Sequence, residues 1–160
     1  MTTGVTVRTY RPGEPSLVVN FYYRLFSNQF HFLPNTEHYF LHAMTELYDQ
    51  PKGNELWIAE EDGNIVGSIC VIGKKDGTGQ IRLFGTDPSV QGKGVGSKLM
   101  STAMAFCKQH EYRHVYLWTI DICEAAVHLY KKFGFKLTDT KPNDTWADYH
   151  MTEELMEFNQ

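Results

Sequence analysis

The stretch T-D-P-S-V-Q-G-K-G-V-G at residues 86–96 runs from an apolar strand pattern, residues 80–86, straight into an amphipathic helical one. The helical pattern covers about residues 94–110, because Val95, Leu99, Ala103, Phe106 and Cys107 recur at spacings of three and four. Such a helix start leaves backbone N–H groups unpaired and carries the positive end of the helix dipole, so the turn suits a phosphate or pyrophosphate. Two nucleotide motifs are excluded. A G-x-G-x-x-G fingerprint needs glycine at position 97, where Ser97 stands, and a Walker loop needs Ser or Thr after Gly92-Lys93, where Gly94 stands. What remains is Q-x-x-G-x-G, made by Gln91, Gly94 and Gly96. Glycines let the backbone approach an anion closely, and Lys93 and Lys98 add charge for an outer phosphate. The same spacing also suits a strand-to-helix turn whose glycines serve packing alone.

Working outward, residues 5–10 alternate as a first strand, with Val5 and Val7 on one face and Thr6 and Arg8 on the other. Ser16 is read as the N-cap of a short helix through Leu17, Phe21 and Leu25, and a second helix starts near Pro34 or Asn35 and ends before Pro51. Residues 55–60 and 65–72 form a hairpin about Asp62-Gly63, and residues 80–86 the next strand. After the central helix come a strand at residues 115–119, parallel to its predecessor, a helix at 124–133 stopped by Gly134, and a last antiparallel pair at 135–137 and 146–153. The order β-α-α-β-β-β-α-β-α-β-β is an α/β (α+β) class: a mixed, mostly antiparallel sheet of six or seven strands with about four helices on its faces.

The 160 residues, 42% hydrophobic, are expected to form a single domain over 1–160. Fifteen basic and nineteen dispersed acidic residues give a charge of −4, which points away from nucleic acid and anionic membranes as general partners. No 18-residue apolar stretch occurs, and residues 1–10 lack the apolar run of a secretion signal, so a cytoplasmic location is expected. Cys70, Cys107 and Cys123 are too few and too far apart for a disulfide framework or a metal knuckle. His38 and His42 share a helix face, with His31 near, but Tyr39 stands where an H-E-x-x-H motif needs glutamate, and no metal is expected.

The glycine turn, together with A-V-H-L-Y-K-K-F-G-F at residues 126–135, resembles the GNAT superfamily of N-acetyltransferases over about residues 5–153. The resemblance implies an acyl-CoA N-acyltransferase fold and acetyl-CoA as acetyl donor. It places the pyrophosphate on Gln91, Gly92, Lys93, Gly94, Val95 and Gly96, and the pantetheine arm along Leu83, Phe84, Gly85 and Thr86. Where many members carry an asparagine that contacts the cofactor, seven residues before the helix tyrosine, this chain has Cys123. Tyr130 corresponds to the tyrosine that often protonates the leaving thiolate; its phenol, with an ordinary pKa of about 10, keeps its proton at neutral pH. A tyrosine flanked by Leu129 and Phe133 also suits plain packing. The oxyanion donor is expected to be a backbone N–H near residues 83–85.

No glutamate lies on the strand at 80–86, where Gln80, Arg82, Phe84 and Thr86 are expected on one face and Ile81, Leu83 and Gly85 on the other. Asp87, Asp121 or a histidine of the helical region is left as base, each equally readable as a solvated or capping residue. Aromatic density at Phe21, Tyr22, Tyr23, Phe26, Phe30, Phe32, Tyr39 and Phe40 suits an aryl or alkyl amine pocket, or equally a core or dimer contact. Trp146, Asp148 and His150, on one face of the last strand, border the same groove in this reading. Nothing beside Cys123 activates it as a nucleophile, so direct transfer to a small-molecule primary amine is the simplest reading. Alternatives are an acyl-CoA-binding regulatory or sensor module and a protein or peptide amine acetyltransferase. A homodimer through an edge strand or the aromatic helices is a further expectation.

Overall fold

The computed structural model describes residues 4–50 and 52–160. Its elements follow the order β1 (Thr6–Thr9), α1 (Glu14–Phe30), α2 (Thr36–Thr45), β2 (Glu55–Glu61), β3 (Asn64–Gly73), β4 (Thr78–Thr86), α3 (Val95–Gln109), β5 (His114–Ile120), α4 (Glu124–Lys132), β6 (Lys136–Asn143) and β7 (Met151–Asn159). Short 3₁₀ turns sit at Glu46–Tyr48 and Pro88–Val90. The strands make one seven-stranded sheet in the order β1-β2-β3-β4-β5-β7-β6. Neighbours are antiparallel except β4 and β5, which pair in parallel at Thr78↔His114, Gly79↔Val115 and Gln80↔Tyr116. The expected mixed sheet flanked by four α-helices is the architecture found.

Side chains alternate across this sheet into two cores. Beneath α3 and α4 lie Ile69, Val71, Val115, Leu117 and Met156, packed on Leu99, Met100 and Ala103. Beneath α1 and α2 lie Leu56, Ile58, Cys70 and Ile72, packed on Val18, Val19, Phe40 and Met44. The β2–β3 hairpin turns on Asp62 (φ 51°) and Gly63 (φ 80°), the paired left-handed residues that a tight hairpin demands. Cys70 and Cys107 are buried free thiols, each raised to about 12 chiefly by burial.

Three expectations are corrected. Helix α1 is not capped by Ser16: Gly13, at φ 91°, is the N-cap, Pro15 enters the first turn, and the Ser16 hydroxyl donates back to Gly13 O at 3.2 Å. Helix α2 ends at Thr45 and continues as the 3₁₀ turn to Tyr48, before Pro51 as expected; Pro51 itself lies outside the described residues.

The last two strands lie later than the alternation suggested, and Trp146, Asp148 and His150 belong to their connection. Asn143 is the reason. Its Oδ1 accepts from the backbone N–H of Thr145 (3.0 Å) and of Trp146 (3.2 Å), which bends the chain out of the ladder.

Strand β4 does not alternate simply. Arg82 faces Cys70 while Gly85 faces Ser68, so Leu83 and Phe84 together oppose the single residue Ile69. Leu83 takes up the bulge at φ 52°, and its carbonyl accepts from the buried Ser68 hydroxyl at 2.7 Å. As a result Ile81 belongs to the α3 core and Leu83 to the α1–α2 core, while Phe84 returns to the α3 side. Among the described residues no helix is long and apolar enough to cross a membrane.

Candidate active site

Pairing between β4 and β5 stops at Gln80 and Tyr116. Beyond that point residues 81–86 of β4 and 117–120 of β5 have no ladder between them, and a cleft opens along the gap. At one end lies the glycine turn, in an open groove of about 1620 Å³ that also touches Phe84, Thr86 and Cys123. At the other lies a narrow pocket walled by Tyr22, Phe26, Phe32, Tyr39, Phe40 and Trp146. Phe26, Phe84, Cys123 and Ala126 border both, so the two spaces adjoin along these side chains.

The turn is shaped for close approach. Gly92 (φ 79°) and Gly94 (φ 81°) are left-handed, and nothing lies within 4 Å of where a Cβ would stand on either. Gly96 is needed for a different reason: a Cβ there would come within 3.3 Å of Leu129 Cδ2 and 3.5 Å of Phe84 Cζ. Not all the amides are available. Gln91 N–H donates to Pro88 O and Lys93 N–H to Val90 O, each at 3.3 Å. The first helical bond of α3 runs from Lys98 N–H to Gly94 O at 3.0 Å, so the amides of Val95, Gly96 and Ser97 open the helix ahead of it. The groove-lining residues whose amides have no backbone acceptor are therefore Gly92 and 94–97 rather than the whole of 91–96.

Tyr130 is placed by the end of α4. Gly134 (φ 95°) donates to Lys131 O at 3.0 Å and Phe135 N–H to Tyr130 O at 3.1 Å, the paired bonds of a Schellman stop. This cap folds Phe135 back against the Tyr130 ring, centroids 6.2 Å apart, and Phe84 packs on it at 5.7 Å. The residue is only 5% exposed. Among the described residues its hydroxyl has no protein partner, yet it is not sealed in, because it borders the cavity at the gap. Burial, reinforced by Tyr22 and Cys123 nearby, raises its pKa well above that of a free phenol. The group stays protonated at neutral pH.

Cys123, at the N-cap of α4, is pushed up to about 12, first by burial and then by Asp121. At neutral pH it is a thiol, not a thiolate. Asp87 and Asp121 are both spent on the backbone: Asp87 accepts from Ser89 N–H at 2.9 Å and Asp121 from Thr152 N–H at 3.0 Å. His31, His38 and His42 are exposed. Trp146 joins the pocket against Phe32 and Tyr39, at 5.8 and 5.0 Å, whereas His150 is exposed and pairs with Asp144 at 2.7 Å. The sequence reading missed Glu153, a buried carboxylate of β7 on the pocket wall. Its signal was faint: a glutamate in a charged run, visible as a wall residue only once β7 is registered against β5.

A family model described as "Acetyltransferase (GNAT) family" matches residues 19–135, most of the chain. The chain belongs to the GNAT acetyltransferase family. Among curated relatives it is 34% identical to rat N-acetyltransferase 8 over 110 residues, covering 64% of this chain and 50% of that protein. It is 32% identical to human N-acetylaspartate synthetase over 92 residues, covering 57% of this chain and 30% of that protein. The chain thus spans half or less of the length of these relatives. Among solved structures, a GNAT-family acetyltransferase from Staphylococcus aureus Mu50 superposes with a TM-score of 0.79 at 18% identity, covering 97% of this chain and 98% of that one. A GNAT-family acetyltransferase from Elizabethkingia anophelis, solved with acetyl-CoA bound, gives 0.68 at 18% identity, covering 99% and 100%. These two likenesses concern the fold.

Proposed function

We propose that this GNAT domain moves an acetyl group from acetyl-CoA to a primary amine of a small molecule, by direct transfer. The observation that carries the reading is adjacency: an amide-rich turn, an unpaired strand edge, a tyrosine hydroxyl and an aromatic pocket lie side by side along one gap. The residues present fit the donor. Amides of Gly92 and residues 94–97 would meet the pyrophosphate at a helix start. Lys132 lines the groove as a cation for an outer phosphate, whereas Lys98 borders a separate groove beside Trp57. The β4 edge at Leu83–Phe84–Gly85 is without a strand partner on the gap side and open to an amide-bearing arm. The donor supplies an activated thioester.

The chain's own groups supply positioning and protons. The bulge at Leu83 turns the β4 backbone at the mouth of the aromatic pocket, where polar N–H groups serve a developing oxyanion. The amine attacks in its neutral form, and the C–S bond breaks once the C–N bond has formed. Tyr130, protonated and unpaired, gives its proton to the departing sulfur, and the proton shed by the nitrogen passes to solvent, from which the phenol is restored. Cys123 is unsuited to carry the acetyl group, because its thiolate is strongly disfavoured by burial. A Tyr130 ring buried against Phe84 and Phe135 is what an acyl-CoA sensor without catalysis would also need, and on that point it speaks for the sensor; the hydroxyl bordering the cavity at the gap is what favours the enzyme.

The experiment is thiol release from acetyl-CoA across a panel of primary amines, with acetyl-CoA affinity measured by calorimetry. Thiol appearing only when an amine is present supports direct transfer. Tight acetyl-CoA binding with no amine-dependent thiol would favour the sensor.

A further inference from the structure

The acceptor side of the cleft holds a buried carboxylate that none of these roles uses. Glu153 is 7% exposed and lies on β7 opposite Ile120, at the end of β5 where the gap is open. Its Oε2 accepts from Asn143 Nδ2 at 3.2 Å. Its Oε1 has only Lys141 Nζ, at 3.9 Å, beyond hydrogen-bond reach. That ammonium rides 4.2 Å from the centroid of the Trp118 ring, and the lysine side chain is 52% exposed.

A buried carboxylate with one open oxygen attracts a cation, and an aromatic face beside it adds to the attraction. The exposed lysine that loosely spans both groups marks the place of a cation and is easily displaced. The pocket's other charge is already answered: Arg82 pairs with Glu46, which also holds Lys74 at 3.1 Å. The rest of the wall carries no charge and is mainly aromatic and aliphatic, with Gln80, Thr119 and Cys123 among it.

We propose that Glu153 and the face of Trp118 form the ammonium site of the acceptor, which is a cationic amine on an apolar, ring-bearing body without a carboxylate, and that Lys141 holds the site when it is empty. This rests on the reading of the acceptor as a primary amine and names its class. Glu153 is the specificity-determining residue, since a carboxylate on the acceptor would face it unpaired.

The test titrates 2-phenylethylamine into the protein saturated with CoA, which carries no acetyl group, and follows the fluorescence of the pocket tryptophans. Glu153→Gln should weaken binding by about tenfold or more, the loss of a charge-assisted contact. Lys141→Met should tighten it by about two- to fivefold by removing the internal competitor, a change that a merely structural Glu153 does not produce. Phenylalanine and phenylacetate, which share the ring but carry a carboxylate, should bind about tenfold more weakly than the amine or worse. Unchanged affinity in a folded Glu153→Gln variant, unchanged or weaker affinity in Lys141→Met, or phenylalanine binding as well as the amine would overturn the proposal. If Glu153→Gln does not fold, Lys141→Met and the ligand series decide. A failure of acetyl transfer to every amine, with 2-phenylethylamine still bound at Glu153, would count against the enzyme and leave this site standing.

Discussion

Where β4 begins, its backbone is matched rung for rung on both sides; where it ends, one side is left open. At residues 78–80 it pairs with β3 and with β5, and Tyr112 closes the sheet beneath by donating to Gly53 O at 2.8 Å. A Cβ on Gly73 or Gly79 would come within 2.1 or 3.0 Å of that tyrosine, so this end has no room to spare. At residues 81–86 the same strand bulges at Leu83, loses β5 and borders the cleft. One strand thus serves as scaffold over its first third and as site over the rest. A short ladder is enough to fix the position of an edge that must stay unpaired.

Changes at the open end should alter chemistry or binding, and changes at the closed end should alter only stability. The largest effect is expected for Tyr130→Phe: kcat, read from thiol release, should fall by about 10²- to 10⁴-fold with acetyl-CoA affinity unchanged. Equal turnover would remove Tyr130 as the acid. Gly94→Ala should come next, because a left-handed position is forced on a residue with a Cβ at about 1–2 kcal/mol and the opening amides of α3 shift. Acetyl-CoA affinity by calorimetry should drop by about 10- to 100-fold; a change confined to thermal stability would mean that the turn only packs.

A smaller effect is a matter of pH. Because burial raises the Tyr130 pKa, the protonated phenol persists past the usual value, and its contribution is lost only as pH rises above about 10. The ratio of wild-type to Tyr130→Phe turnover should therefore stay level from neutral pH to about 9.5, where a solvent-exposed phenol has begun to ionise. A ratio falling below pH 9 would contradict the buried setting. Smallest is Tyr112→Phe at the closed end. Denaturant unfolding should show a loss of about 0.5–1.5 kcal/mol for the missing hydrogen bond, while turnover and acetyl-CoA affinity hold steady.

The comparison also shows which parts of the molecule could be read from residues alone. The glycine turn and Tyr130 were legible because local sequence specifies them: left-handed glycines at 92 and 94, and a helix stop in which Gly134 and Phe135 fix the tyrosine. The bulge was not legible, since Leu83 carries none of the glycine or proline signals that mark a broken strand. With it went the expected division of β4 into two plain faces. Glu153 was missed because its place on the wall depends on the register of β7 against β5 and on strand bounds that Asn143 shifted. Asp87 and Asp121 proved to be backbone caps, a role their sequence neighbourhoods already allowed.

The three-rung seam between β4 and β5 has one last consequence. The sheet is effectively two panels, β1-β2-β3-β4 and β5-β7-β6, joined by the short ladder of Thr78–Gln80 and His114–Tyr116. A donor molecule lying in the gap would supply main-chain-like contacts that the missing rungs do not, and so would act as a splint between the panels. Occupancy should then be felt well away from the chemistry, as slower hydrogen exchange along both flanks of the seam and a melting temperature that climbs with ligand concentration.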